Sequence, residues 1–116
     1  MKVSFAAKGS SLTGVTLIVT VPGAAGVAEG ALAAFDVGGA RVAIANVGGT
    51  LHAFGDTCTH LQCSLAQGDL DGTVVTCPCH GSRFDVTTGA LLRGPAQVPV
   101  PSYAARVEDD VLRVEI

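Results

Sequence analysis

Tryptophan is missing from the 116-residue chain, methionine and tyrosine occur once each, and only 15% of the residues are charged. So little charge beside 48% apolar residues excludes an intrinsically disordered chain, which needs low hydrophobicity and high net charge. Basic residues are scarce: seven Lys and Arg, no two adjacent, in a chain of net charge −3. They cannot form the stripe that tracks a phosphate backbone, so nucleic acid is not an expected partner. No segment keeps a 3.6-residue apolar period, which argues against a helical bundle. The apolar stretch at residues 12–21 is closed by Pro22, well short of the roughly 20 residues a membrane span needs. At 11.6 kDa residues 1–116 make one domain. Its core is modest, since a chain of this size buries about two-thirds of its unfolded surface.

The N-terminal residues admit two readings. Lys2 and Lys8 precede the apolar stretch, and Gly26-Val27-Ala28 ends like a signal-peptidase site. Against export, Val15, Leu17, Val19 and Val21 fall on one side and Thr16 and Thr20 on the other, the two-residue period of a strand. Residues 1–26 are therefore expected to add a strand segment to a soluble, cytoplasmic protein. An exported protein is the alternative.

Fifteen glycines punctuate the remainder. Residues 31–37 run into Gly38-Gly39, residues 41–47 into Gly48-Gly49, and residues 50–54 follow. Residues 73–76 follow Asp71-Gly72, and residues 103–108 turn at Asp109-Asp110 into 111–116. Glycine pairs between β-prone runs signal hairpins, because both central residues can take positive φ. Val42 and Ile44 share one side of their run while Arg41, Ala43 and Ala45 share the other, so one side suits a core. The acidic group Glu108, Asp109 and Asp110 reads as a solvated hairpin turn. These features predict an all-β fold, an antiparallel sandwich or barrel. Residues 55–70 and 77–101 break the pattern: they hold all four cysteines, two of three histidines and four of five prolines. They read as loops above the scaffold, where functional groups concentrate.

Cys58-Thr59-His60 and Cys77-Pro78-Cys79-His80 bring two thiols and two imidazoles from two loops. A tetrahedral zinc site on Cys58, His60, Cys77 and His80 is one reading. Covalent haem attachment fails, because only Pro78 separates Cys77 from Cys79. A [2Fe–2S] cluster is the third reading, with the cysteines on one iron and the histidines on the other. A cysteine and a histidine one residue apart are tight for zinc modules and suit ligands to two different irons.

The segments Cys58-Thr59-His60-Leu61-Gln62-Cys63 and Cys77-Pro78-Cys79-His80-Gly81-Ser82-Arg83-Phe84-Asp85 resemble the two cluster-binding loops of Rieske iron–sulfur proteins. The layout is similar over residues 27–116, including a proline-rich third loop at residues 94–101. The resemblance implies a β base carrying a small cluster-binding subdomain at about residues 55–101. It implies one [2Fe–2S] cluster per chain, held by Cys58, His60, Cys77 and His80. Such a cluster is electrically neutral when oxidised, because the imidazoles add no charge, whereas four thiolates would leave it at −2. Its potential then lies within roughly −150 to +300 mV, above plant-type ferredoxins.

Further roles follow from the same resemblance. Cys63 and Cys79 match the cystine that joins the two loops in members with these longer motifs. A bridge closing a loop of about 17 residues contributes about 3 kcal/mol in the chain-entropy account, although it sits awkwardly with a reducing cytosol. Ser82 stands where respiratory members hydrogen-bond a bridging sulfide. Phe84 replaces their Tyr, which implies a potential below the respiratory type. Gly81 is expected to permit a turn beside the cluster, and Pro95, Pro99 and Pro101 to stiffen a covering loop. Leu61, Gln62 and Leu65 are expected to shape the exposed tip near the histidines, with Leu61 a partner-docking contact, and His52 is expected as a surface or edge histidine. The implied protein is an electron carrier rather than an enzyme, a soluble ferredoxin passing electrons from a flavin reductase to the terminal oxygenase of an aromatic-ring dioxygenase system. The soluble head of a quinol- or arsenite-oxidising complex is the alternative; a zinc module or a Rieske-like subunit of another reductase comes after it.

Overall fold

The computed structural model describes residues 18–116, which form ten strands and two short 3-10 turns. Six strands make one antiparallel sheet in the spatial order β1 (Ile18–Val21), β10 (Val111–Glu115), β9 (Ser102–Glu108), β4 (Thr50–Gly55), β3 (Ala40–Val47) and β2 (Leu32–Val37). Four short strands make the second, in the order β5 (Asp69–Asp71), β6 (Val74–Thr76), β7 (Arg83–Asp85) and β8 (Leu91–Arg93). The nearly all-β architecture expected from the sequence is present. The tail of the N-terminal strand segment is β1, which pairs with β10 from Ile18↔Glu115 to Val21↔Leu112. Its expected start at Val15 to Leu17 lies outside the described residues. No helix among the described residues is long and apolar enough to cross a membrane.

Glycine pairs close the hairpins as their chemistry requires. Gly38 and Gly39 (φ 56° and 88°) join β2 to β3, and Gly48 and Gly49 (φ 61° and 97°) join β3 to β4. Left-handed backbone at both central residues matches the twist of the flanking strands.

Strand β3 departs from the one-sided expectation, because both of its faces are buried. Val42 and Ile44 enter a core with Val21, Val37, Ala53, Leu112 and Val114. Ala43 and Ala45 enter another with Phe54, Cys58, Leu65, Val75, Cys77 and Phe84. Alternation reveals which residues share a face but not whether a second layer covers it. Here the four-stranded unit covers the alanine face, and side chains that small leave room for the buried rings of Phe54 and Phe84.

The second unit is an excursion from the larger sheet. Strands β4 and β9 pair only at Ala53↔Tyr103 and Phe54↔Ser102, and the Gly55 amide donates to the Pro101 carbonyl at 2.8 Å. The chain thus leaves and rejoins the scaffold at neighbouring points. Residues 77–101, expected as loops, include β7 and β8, and residues 69–71 form β5. Strands of three residues are too short for alternation to register.

Candidate metal centre

Two six-residue loops built on one plan carry the cysteines and histidines. Residues 58–63 lie between the bridged pair Thr57↔Ser64, and residues 77–82 between the paired ends Thr76↔Arg83 of β6 and β7. In the first, Cys58 N–H donates to the Cys63 carbonyl (2.8 Å) and Gln62 N–H to the Cys58 carbonyl (2.9 Å). In the second, Cys77 N–H donates to the Ser82 carbonyl (2.8 Å) and Gly81 N–H to the Cys77 carbonyl (3.1 Å). The fifth residue of each loop is left-handed, Gln62 at φ 63° and Gly81 at φ 84°. Cys58 therefore corresponds to Cys77, Gln62 to Gly81, and Cys63 to Ser82. The turn expected at Gly81 is present, and its twin at Gln62 is not legible from residue type.

A disulfide joins Cys63 to Cys79 with a Cα–Cα distance of 6.5 Å and so links the loops, as expected. Cys58 and Cys77 are free and buried, and both belong to the same core cluster. His60 is half-buried and His80 exposed, their ring centroids 5.2 Å apart and their planes at 83°. The four residues expected as ligands thus meet in two like pairs, sulfur with sulfur and imidazole with imidazole. The sulfurs of Cys63, Cys77 and Cys79 also lie within 4.8 Å of one another, but the bridge leaves only Cys77 of the three with a thiol. His52, expected at a surface or edge, is half-buried opposite Ala45 on β4, which is flanked by both β3 and β9. Leu61 and Gln62 are exposed as expected, but Leu65 is not at the tip: the 3-10 turn that follows the first loop carries it into the core with Cys58 and Cys77.

Burial pushes the Cys77 thiol above its ordinary value of 9.0, and neighbouring Cys58 adds to the rise. The amides of Cys79 and His80 donate to the same sulfur and oppose it. Two buried thiolates side by side require a compensating cation, and donors aimed at one of them favour an anionic sulfur. Ser82 is fully buried; its Oγ accepts the Ala96 amide at 3.0 Å. Among the described residues its own hydroxyl proton has no recorded acceptor, which fits an additional acceptor in the site. Paired sulfurs, paired imidazoles and a spare buried donor suit a two-iron, two-sulfide group.

Two supports escape a reading from residue type. Asp56 is 2% exposed and clasps the base of the first loop. Its Oδ1 accepts Ser64 Oγ at 3.0 Å and Ala66 N–H at 2.8 Å, while its carbonyl accepts Leu65 N–H at 2.7 Å. Arg41 Nε lies 3.7 Å from Oδ2. The only sequence signal is a lone carboxylate two residues before Cys58. The third loop is held through main-chain groups, Ala96 N–H on Ser82 and the Val98 carbonyl accepting Thr59 Oγ1 at 2.7 Å, and backbone groups leave no trace in residue identity.

Residues 18–104 match the Rieske [2Fe–2S] domain. The chain is 42% identical over 73 residues to ferredoxin CarAc of Metapseudomonas resinovorans, covering 63% of this chain and 68% of that protein. It is 37% identical over 92 residues to the cytochrome b6-f complex iron–sulfur subunit of Chlorobaculum thiosulfatiphilum, covering 79% of this chain but only 50% of the subunit. A solved complex of reduced oxygenase and oxidised ferredoxin in carbazole 1,9a-dioxygenase contains a chain that superposes with a TM-score of 0.73 at 36% identity, over 85% of this chain and 91% of that one. The protein belongs to the Rieske [2Fe–2S] family and carries that family's cluster.

Proposed function

We propose that this chain is the ferredoxin component of an aromatic-ring oxygenase system, taking one electron at a time from a flavin reductase and delivering it to a terminal oxygenase. The observation that carries the reading is the paired donor set on two loops: two free, buried thiols, and two imidazoles whose ring centroids lie 5.2 Å apart. Cys58 and Cys77 would hold one iron of the cluster, and His60 and His80 the other. When bound, the cluster supplies a single reversible electron near neutral pH.

The protein's part is to hold, tune and present. Disulfide Cys63–Cys79 and the Thr59–Val98 hydrogen bond lock the three loops together, and the amides on Cys77 stabilise negative charge on its sulfur. The buried Ser82 hydroxyl would be free to donate a hydrogen bond to the cluster. Exposed His80 and Leu61, 54% exposed beside His60, form the tip that meets a partner. No substrate bond is made or broken here, so this component is a carrier and not a catalyst. Its encounters are short-lived over a small interface, in keeping with an oxygenase–ferredoxin complex among its structural relatives.

The test is threefold. Purified protein carries two irons and two sulfides with a visible spectrum that His60→Ala and Cys77→Ser both abolish. Its potential lies toward the low end of the Rieske range, and the reduced protein is reoxidised by a ring-hydroxylating terminal oxygenase. Native absorbance in either variant would contradict the ligand assignment. A distinctly positive potential with no transfer to the oxygenase would instead favour the head of a quinol-oxidising complex, the reading that likeness to the b6-f subunit supports.

A further inference from the structure

Charge is unevenly resolved on this molecule. Five arginines lie among the described residues, and three of them face carboxylates: Arg41 those of Asp36 and Asp56, Arg106 that of Glu108, and Arg113 the same Glu108. The two left over, Arg83 and Arg93, are direct cross-strand partners on β7 and β8. Both are exposed, and among the described residues no carboxylate lies within bridging distance of either. Residues 1–17 contain no Asp or Glu, so none from that segment can serve. Like charges directly opposite on adjacent strands repel and disfavour the pairing.

The surroundings leave this pair uncompensated. Asp85, two residues along β7, is engaged by the Thr87 amide at 2.8 Å and the Thr87 hydroxyl at 2.6 Å. Asp69 lies on the same row of the sheet but two strands from β7, through Thr76, about 10 Å away at the usual strand spacing. An irregularity in the β7–β8 pairing leaves Leu92 outside the register and 53% exposed beside Arg93. Arg83 directly follows buried Ser82 and lies three residues beyond His80, while Arg93 leads into the third loop at Gly94. The unpaired cations therefore flank the end of the molecule that holds the redox site, in a chain whose net charge is −3.

We infer that Arg83 and Arg93, with the exposed Leu92 of β8 beside them, form the docking contact for a carboxylate-rich face on a redox partner protein. The inference rests on the electron-carrier reading and goes beyond it by assigning the surface and the partner's charge. Arginine is enriched at interfaces and forks onto carboxylates in bidentate fashion. Opposite charge at such a patch steers encounters that net charge would retard.

The decisive experiment is stopped-flow reoxidation of the reduced, cluster-loaded full chain by ferricyanide, an anionic oxidant, as salt rises from about 0.01 to about 1 M. Net charge alone makes this reaction accelerate with salt, because like charges are screened; the arginine patch makes it slow. The expected result is a several-fold fall in rate for the native chain. In the exposed-site double variant Arg83→Gln/Arg93→Gln the dependence is weakened or reversed at unchanged visible spectrum. Hexaammineruthenium(III), a cationic oxidant, shows the opposite pattern. A native rate that climbs with salt, or a double variant with the native dependence, overturns the assignment. A reduced chain that neither oxidant bleaches strikes the electron-carrier reading itself and the docking contact with it.

Discussion

Gln62 adopts a left-handed backbone at φ 63°, at the position where the second loop uses Gly81 at φ 84°. A side chain there costs about 1–2 kcal/mol, partly offset because glycine loses about 0.5–1 kcal/mol more conformational entropy on folding. Gln62→Gly is therefore expected to stabilise the protein by about 0.5–1 kcal/mol, read as a higher urea midpoint with the visible spectrum unchanged. A lower midpoint would mean that the glutamine side chain contributes more than its backbone costs. Ser82 is a second single-residue lever. Its Oγ accepts from Ala96, and its proton is free for the site. Losing one hydrogen bond of about 1 kcal/mol to the reduced form lowers a one-electron potential by about 40 mV, the shift expected for Ser82→Ala in a redox titration. Phe84→Tyr adds a donor in the same buried region and is expected to raise the potential by a similar amount; no rise would remove the tyrosine argument. Ser82 and Phe84 were legible because they sit within a motif. Ala96 was not, since it acts through an amide fourteen positions away.

At the scale of elements, short-range pattern carried the long strands and also the three-residue β6, which follows the Asp71-Gly72 turn signal, but it failed for β5, β7 and β8. Residues 31–37, 41–47, 50–54, 103–108 and 111–116 alternate for long enough to predict β2, β3, β4, β9 and β10. Strands β5, β7 and β8 have three residues each, too few for alternation to register, and the second buried face of β3 depends on a layer arriving from residues 58–100. The Asp56 clasp belongs to this scale, because one carboxylate fixes Ser64 and Ala66 across the stem of the first loop. Asp56→Ala leaves a half-buried amide and hydroxyl without their acceptor and is expected to cost about 1–3 kcal/mol, with reduced cluster retention on dilution. Asp56→Asn keeps an acceptor oxygen and is expected to retain more of both. The turn after β7 supplies a pH dependence. The Thr87 hydroxyl, then its amide, hold Asp85 below its ordinary value of 3.8, with His52 adding to the effect. A depressed folded-state pKa stabilises above 3.8 and is lost as pH falls through the lower folded value. Thr87→Val is accordingly expected to lower stability at neutral pH and to flatten the decline below pH 3.8, measured by thermal melts across that range.

For the whole molecule, the two cores divide the work. One, around Val42, Ile44, Leu112 and Val114, belongs to the six-stranded scaffold and contains none of the loop residues. The other holds Cys58, Cys77, Phe84 and Leu65 and joins the loops to that scaffold. The disulfide acts on the second alone, because it spans the two loops at a sequence separation of 16. A link of that length contributes about 3 kcal/mol in the chain-entropy account, roughly 10–20 °C in melting temperature for a domain of about 100 residues. Its stabilisation should therefore be local in effect. In Cys63→Ser/Cys79→Ser each loop keeps its own hydrogen-bonded closure, Cys58 to Cys63 and Cys77 to Ser82 through main-chain atoms. The double variant is expected to bind the cluster at low temperature. On heating it should lose visible absorbance well before the far-ultraviolet β signal, whereas the native chain loses both together. Coincident loss in the variant would show that the scaffold core does not stand without the loops, and a native-like visible melt would show that the bridge adds nothing to cluster retention.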